Sequence, residues 1–312
     1  DEVAGRADAV IPPDADVDDI DRAIAAARKA FDEGPWPRLS HAERAEVLLA
    51  IAEAVEQRID DVVEIWPRET GILASSVGVV MQEVIETYRY YAGLASDFAF
   101  TEEVAPTNGA AFGMIVKEPV GVVGAIIPWN SPMGLLAYKV APALLAGCTV
   151  VVKCSPEAPG AGYIMAEIAQ MIGLPPGVLN VVTAEREASE ALVRDPRVDK
   201  IAFTGSTEAG KRIGGILGGR IARSSLELGG KSPAIVLDDF DVADAARNIA
   251  AAECFLSGQI CASLTRVIVP EERHDAMVAG EVEELLEGGG VGVRLLRRRA
   301  PAHPSGSPPT PH

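Results

Sequence analysis

Apolar positions recur with two different periods, which divide the chain into a helical first part and a mixed second part. Asp18 to Phe31 shows helical periodicity and stops at Gly34. Ser40 followed by Glu43 forms the pattern of a capping box, which predicts the start of another helix. A third helix is expected from about 76 to 98. The first part of the chain is therefore predicted to be a helical N-terminal region.

From Met114 onward, short runs rich in Val and Ile alternate with helical stretches. The expected strands are 114–116, 120–127, 149–153, 178–182, 200–203 and 234–237. The expected helices are 133–146, 162–172, 187–194 and 207–217. Strands that alternate with helices predict an α/β fold with a doubly wound, Rossmann-like parallel sheet. In such sheets ligands bind beyond the carboxyl ends of the strands.

Composition narrows the class of protein. The chain has 312 residues, 48% hydrophobic and 23% charged, which is typical of a globular protein with more than one domain. Its net charge of −17 argues against a broad surface for nucleic acid or anionic membrane. We therefore expect neither of these partners.

The cysteines and the apolar runs bear on location. Cys148, Cys154, Cys254 and Cys261 lack the paired short spacings of a disulfide framework or a zinc site, and they suit a reducing compartment. No leader pattern is visible at Asp1, and no apolar run reaches the ~18 residues of a spanning helix. The sequence thus predicts a cytoplasmic protein without a metal site.

Two runs carry candidate covalent chemistry. Cys261 lies in a loop of small residues between an alanine-rich helix and a strand. Glu227 comes just before the pair Gly229-Gly230, with one leucine between them. A thiol nucleophile with a separate carboxylate base is the minimum set for covalent chemistry at a carbonyl. The alternatives are a buried structural thiol and a surface glutamate at a strand end.

Three further candidates follow predicted strands. Asn130, between two prolines, can donate to a developing oxyanion or serve as a turn residue. Lys153 ends a strand where a nucleotide ribose or phosphate binds, although a solvated strand-end lysine has the same pattern. Gly205 and Ser206 open a helix whose free N–H groups suit a pyrophosphate.

These runs resemble the NAD(P)-dependent aldehyde dehydrogenase superfamily. Pro128 to Asn130, Phe203 to Ser206, Leu226 to Lys231 and Gly258 to Arg266 match its motifs in family order, within a resemblance from about Val17 to Met277. The resemblance implies that Cys261 attacks an aldehyde and that Glu227 activates the water that cleaves the thioester. It also implies that Asn130 and the Cys261 N–H bind the oxyanion.

The resemblance implies NAD or NADP as cofactor. The residues it assigns to cofactor binding are Ile126, Pro128, Trp129, Lys153, Ser155, Gly205, Ser206, Gly210 and Leu228. The family often has an acid three residues after the lysine; here Pro156 stands there and Glu157 comes one later. The choice between NAD and NADP therefore stays open.

The resemblance also implies a domain organisation. Residues 1–228 would form the dinucleotide-binding domain with an oligomerisation hairpin at about 100–118, and 229–279 would begin a catalytic domain that is incomplete. The complete protein is expected to be a homo-oligomer that oxidises a small aldehyde. Acylation of coenzyme A is a weaker alternative, because a water-activating glutamate is present.

The last part of the sequence has a different composition. Residues 280–312 are rich in Gly, Arg and Pro and carry almost no periodicity, which predicts a disordered tail. Such a bias is typical of coding sequence read in the wrong frame, so a frameshift near residue 279 is our hypothesis. A truncated, inactive dinucleotide-binding protein is therefore the alternative to an active dehydrogenase.

Overall fold

The N-terminal part of the chain is helical, as the sequence predicts. The computed structural model describes residues 14–107 and 109–287. The helices of this part are α1 (Val17–Asp32), α2 (His41–Gln57), α3 (Ile59–Thr70) and α4 (Ala74–Asp97). The predicted capping box is present, because the Glu43 N–H donates to the Ser40 hydroxyl at 3.2 Å and the Ser40 N–H to the Glu43 carboxylate at 2.7 Å. Helix α3 is absent from the sequence predictions.

An antiparallel hairpin follows the helices. Its strands are β1 (Thr101–Val104) and β2 (Gly113–Val116), paired from Thr101 with Val116 to Val104 with Gly113. Met114, Ile115 and Val116 are all exposed. An apolar strand that residues 14–107 and 109–287 leave exposed is typical of an interaction surface.

A five-stranded parallel sheet forms the centre of the protein. Its strands are β3 (Val122–Ile126), β4 (Thr149–Cys154), β5 (Leu179–Thr183), β6 (Lys200–Gly205) and β7 (Arg223–Leu228). The connecting helices are α5 (Pro132–Ala146), α6 (Gly160–Met171), α7 (Arg186–Arg194) and α8 (Thr207–Gly219). The spatial order is β5-β4-β3-β6-β7, with every neighbouring pair parallel. Strands β4 and β5 are added on one side of β3, and β6 and β7 on the other. This is the Rossmann-type strand order, so the predicted doubly wound sheet is confirmed.

The two faces of this sheet bury different helices. Val150 and Val152 of β4 pack into a core with α2, α4, α5 and α6, whereas Val151 packs with α1, α7 and α8. Successive side chains of a strand point to opposite faces, so a sheet covered on both sides needs an unbroken apolar run. The sequence of β4 has that run.

A smaller α/β unit follows β7. It contains a parallel pair, β8 (Pro233–Ile235) with β9 (Arg266–Ile268), and the helices α9 (Val242–Cys254) and α10 (His274–Glu287). Val236, Ala246, Ile249 and Met277 form its buried cluster. This unit lies where the sequence predicts the beginning of a second α/β domain.

Helix α10 corrects the predicted start of the disordered tail. Residues 280–287 are helical, so the prediction of disorder from residue 280 is wrong for this segment. Gly280 of α10 packs closely against α9, since a β-carbon there would lie 3.1 Å from that of Ala246. Met277 and Glu281 are also buried. The rest of the predicted tail, 288–312, lies outside the described residues.

Candidate active site

The candidate residues that follow strands of the parallel sheet lie along its carboxyl edge, where the strands end. Because all five strands run in the same direction, their carboxyl ends lie together. Loops that carry candidate residues leave this edge at 127–131 after β3, at 155–159 after β4 and at 229–232 after β7, and α8 begins there after β6. The structure therefore places the cofactor and chemical motifs around a single edge.

Cys261 lies beside the loop that follows Glu227. Its side chain is exposed and its thiol is free, as expected for a cysteine on an accessible loop. A β-carbon added to Gly230 would lie 3.8 Å from the Cys261 carbonyl oxygen. The two runs that carry the candidate nucleophile and base therefore pass next to each other, although 34 positions separate Glu227 from Cys261 (261 − 227 = 34).

Asn130 contacts the same cysteine loop. Strand β3 ends at the buried Ile126, and the chain continues through the exposed Trp129 to Asn130. The Asn130 Nδ2 donates to the carbonyl oxygen of Gln259 at 2.6 Å, two residues before Cys261. A carboxamide NH₂ has two donor hydrogens, so one remains for another acceptor. This arrangement leaves Asn130 able to donate beside Cys261.

Glu227 interacts with a buried lysine that the sequence analysis missed. Glu227 is exposed on β7 and lies in register with Thr204 of β6. The Thr204 hydroxyl accepts a hydrogen bond of 2.7 Å from Nζ of Lys139, which projects from α5. Burial lowers the pKa of Lys139 to about 8, and the charge of Glu227 opposes that shift. The available sequence signal was a single lysine in an otherwise apolar helix.

The cationic Lys153 lies next to the last residue of β4, and the anionic Glu157 follows in the next loop. Nζ of the buried Lys153 donates to the Ala184 carbonyl at 3.3 Å. Burial lowers the pKa of Lys153, and the charge of Glu157 acts against that shift. The Ser155 hydroxyl donates to the Glu157 carboxylate and so lowers its pKa. A lysine donor and an ionised carboxylate are both suited to ribose hydroxyls.

The start of α8 fits a pyrophosphate. Ser206 is the N-cap, and its hydroxyl accepts from the N–H three residues later at 3.2 Å. The other first-turn N–H groups have no intrahelical acceptor, which suits an anion. A β-carbon at Gly205 would lie 2.5 Å from the Phe203 ring, and one at Gly210 would lie 2.5 Å from the Leu228 side chain. A side chain at either position would therefore displace the Phe203 ring or the Leu228 side chain from the close packing of β6, β7 and α8.

The other three cysteines have different surroundings from Cys261. Burial raises the pKa of Cys154 to about 12 and also raises the pKa of Cys148. Cys254 is half-buried at the end of α9.

The described residues meet the requirements of neither a metal site nor a membrane-spanning helix. Within residues 14–107 and 109–287, no group of His, Cys, Asp or Glu is arranged to hold a metal ion. Over the same ranges, no helix is both long and apolar enough to cross a bilayer.

The fold and site define a Rossmann-like α/β protein in which an exposed cysteine lies beside the loop that follows Glu227. The model of the aldehyde dehydrogenase family matches residues 7–292. The chain therefore belongs to the aldehyde dehydrogenase family. The match extends beyond the range of 17–277 inferred from motifs.

Relatives and solved structures agree with this assignment. The chain is 41% identical over 267 residues to geranial dehydrogenase of Castellaniella defragrans, covering 85% of this chain and 56% of the relative. It is 39% identical over 272 residues to phenylacetaldehyde dehydrogenase of Pseudomonas fluorescens, covering 85% and 54%. A Mycobacterium tuberculosis aldehyde dehydrogenase crystallised with NAD+ matches with a TM-score of 0.85 at 38% identity, covering 88% and 57%. The chain thus spans about half the length of the relatives it matches.

Proposed function

We propose that this protein oxidises an aldehyde to a carboxylic acid and transfers the hydride to NAD or NADP. The observation that carries this proposal is the convergence of three separate motifs. The Asn130 amide and the loop containing Gly230 both lie against the loop of Cys261. A nucleophile, an oxyanion donor and a nearby carboxylate are the groups that acyl chemistry through a thioester needs.

The residues of this chain have distinct roles in the proposed reaction. The Cys261 thiolate adds to the carbonyl carbon, and the displaced electron pair forms an oxyanion that accepts hydrogen bonds from Asn130 and the Cys261 N–H. A bound NAD or NADP supplies the acceptor for the hydride that leaves this carbon. Glu227 then takes a proton from a water molecule that attacks the resulting thioester. The thiolate departs as the carboxylic acid forms.

The cofactor would occupy the carboxyl edge of the sheet. The first turn of α8 would hold the pyrophosphate, and Lys153 with Ser155 would face the adenosine ribose. Glu157, which follows β4, favours NAD. An acid at this place in the sheet accepts a hydrogen bond from the ribose 2′-hydroxyl of NAD and repels the 2′-phosphate of NADP. We therefore expect NAD to be used in preference to NADP.

Substitution of the nucleophile tests the proposal. Geranial and phenylacetaldehyde are suitable probes, because relatives are named for them. We expect the parent chain and Cys254→Ala to form NAD(P)H when aldehyde is added, and Cys261→Ala to form none while still binding the dinucleotide. The half-buried Cys254 provides the matched control. Full turnover by Cys261→Ala would reject the mechanism.

A second candidate function is dinucleotide binding without turnover. It is supported by the coverage, because the matched segment makes up only 56% and 54% of two of the relatives. Cofactor binding by the parent chain with no aldehyde-dependent NAD(P)H formation would favour this alternative.

We also propose a homo-oligomer in the cytoplasm. The exposed apolar residues of β2 support self-association. The four free cysteines support a reducing compartment.

A further inference from the structure

The loop that leads to Cys261 has an uncommon backbone conformation. Leu256, Ser257 and Gly258 are consecutive and have φ values of 49°, 56° and 72°. Residues with a β-carbon disfavour this left-handed region, and they remain in it only where the surrounding structure holds them. Contacts from outside the loop must therefore maintain this conformation.

The C-terminus of α3 supplies those contacts. The Ser257 hydroxyl donates to the Gly71 carbonyl at 3.4 Å, and Nε2 of Gln259 donates to the Thr70 carbonyl at 3.2 Å. The last carbonyls of a helix lack intrahelical donors, so both are available as acceptors. Leu256 is buried in the main core. The loop is thereby attached to an element almost two hundred positions earlier, since residues 70 and 259 are 189 apart.

Gln259 joins this attachment to Asn130. Its side chain donates to α3, while its backbone carbonyl accepts the 2.6 Å hydrogen bond from Asn130 Nδ2. A carboxamide is planar, so holding one of its hydrogens fixes the direction of the other. The orientation of the Asn130 donor therefore depends on where α3 holds Gln259.

The Gln259 amide also has an unpaired atom. Its Oε1 is buried and has no hydrogen-bond partner in the part of the chain that the structure describes. Exchanging the amide nitrogen and oxygen would place an oxygen against the Thr70 carbonyl, so the observed orientation is the one that bonds to α3. An unpaired buried oxygen costs free energy, and an apolar side chain of the same size would fill this space without that cost. The role of Gln259 is therefore the hydrogen bond that its nitrogen donates to α3.

We propose that Gln259 is a positioning residue that directs the Asn130 donor by anchoring the cysteine loop to the C-terminus of α3. Its catalytic consequence rests on the proposed function, because Asn130 acts on the oxyanion only if the protein oxidises aldehydes. The link between Gln259 and Asn130 itself does not depend on turnover.

The side-chain amide signals of Asn130 test this link directly. In the ¹⁵N-labelled chain, with the signals assigned by comparison with Asn130→Asp, we expect one amide proton at a hydrogen-bonded chemical shift. Gln259→Met keeps the length of the side chain and removes the donor to Thr70. In this variant we expect that proton to move toward the shift of a solvated carboxamide. Gln170→Met, on the exposed surface of α6, is the matched control and should leave the signal unchanged.

Kinetics provides a readout that a purely structural role would not change. We expect Gln259→Met to lower kcat by about ten- to a hundredfold with KM unchanged, because a misdirected donor weakens only the transition state. If Gln259→Met fails to fold, Ser257→Ala removes the neighbouring anchor and should shift the Asn130 signal in the same direction. A folded variant with the parental signal would overturn the proposal. A parent chain without turnover would reject the proposed function, and the Asn130 signal would still decide this inference.

Discussion

At the scale of single residues, Lys139 is the least expected feature of the site. It is a buried cation that donates to the Thr204 hydroxyl and interacts with the charges of Glu227 and Lys200. Burial of an ammonium group favours its neutral form, and the lowered pKa expresses that cost. The pairing with Thr204 and Glu227 explains why a lysine is tolerated among the apolar residues of α5.

This lysine predicts a pH dependence of stability. Its pKa is about 8 in the folded protein against 10.5 as the ordinary value, so between these pH values the unfolded chain binds more protons. The free energy of unfolding should therefore rise with pH across this window, by up to about 3 kcal/mol. Urea unfolding from pH 7 to 10 measures it.

The variant Lys139→Met lacks the titrating group, so its free energy of unfolding should not show this rise with pH. Lys211→Met, at an exposed position on α8, controls for the loss of a lysine and should retain the parental profile. Identical pH profiles for the parent chain and Lys139→Met would show that burial does not lower this pKa.

At the scale of elements, α8 illustrates how one glycine differs from another. A β-carbon at Gly210 would lie 2.5 Å from the Leu228 side chain, whereas one at Gly215 in the same helix would meet nothing within 4 Å. Gly210 lets α8 approach the Leu228 side chain of β7 closely, whereas Gly215 only weakens the helix.

Alanine substitutions at these two positions should have opposite effects. We expect Gly210→Ala to lower the free energy of unfolding by about 1–3 kcal/mol through overpacking. We expect Gly215→Ala to raise it by about 0.5–1 kcal/mol, because alanine is the better helix former. Urea denaturation of both variants measures the difference, and equal signs would contradict the close approach of α8 to β7.

At the scale of the whole molecule, the hairpin of β1 and β2 is the candidate for self-association. We expect the parent chain to form an oligomer. Ile115→Glu should reduce the oligomer's mass, because burying a charged side chain in an apolar interface costs free energy. Light scattering coupled to size-exclusion chromatography measures the mass. Met171→Glu, at a similarly exposed position on α6, should leave it unchanged.

The sequence alone determined the order and type of most elements. The unbroken apolar run of β4 and the Ser40 capping box are local patterns, and both appear as predicted. Helix α3 was missed because Pro67 and its many charged residues weaken the helical pattern, although burial of Val62 and Trp66 stabilises it. The composition placed the end of order at residue 279, whereas α10 continues to Glu287 and Gly280 within it packs against Ala246.

The sequence also named Asn130, Glu227 and Cys261 through their motifs, whereas only the tertiary structure decided what surrounds them. The contacts of Asn130 with Gln259 and of Gln259 with Thr70 join residues more than a hundred positions apart. The depressed pKa of Lys139 likewise depends on burial between α5 and the sheet. Local patterns specify periodicity and turns, but they contain no distance between segments. Those distances were set by packing both faces of the parallel sheet.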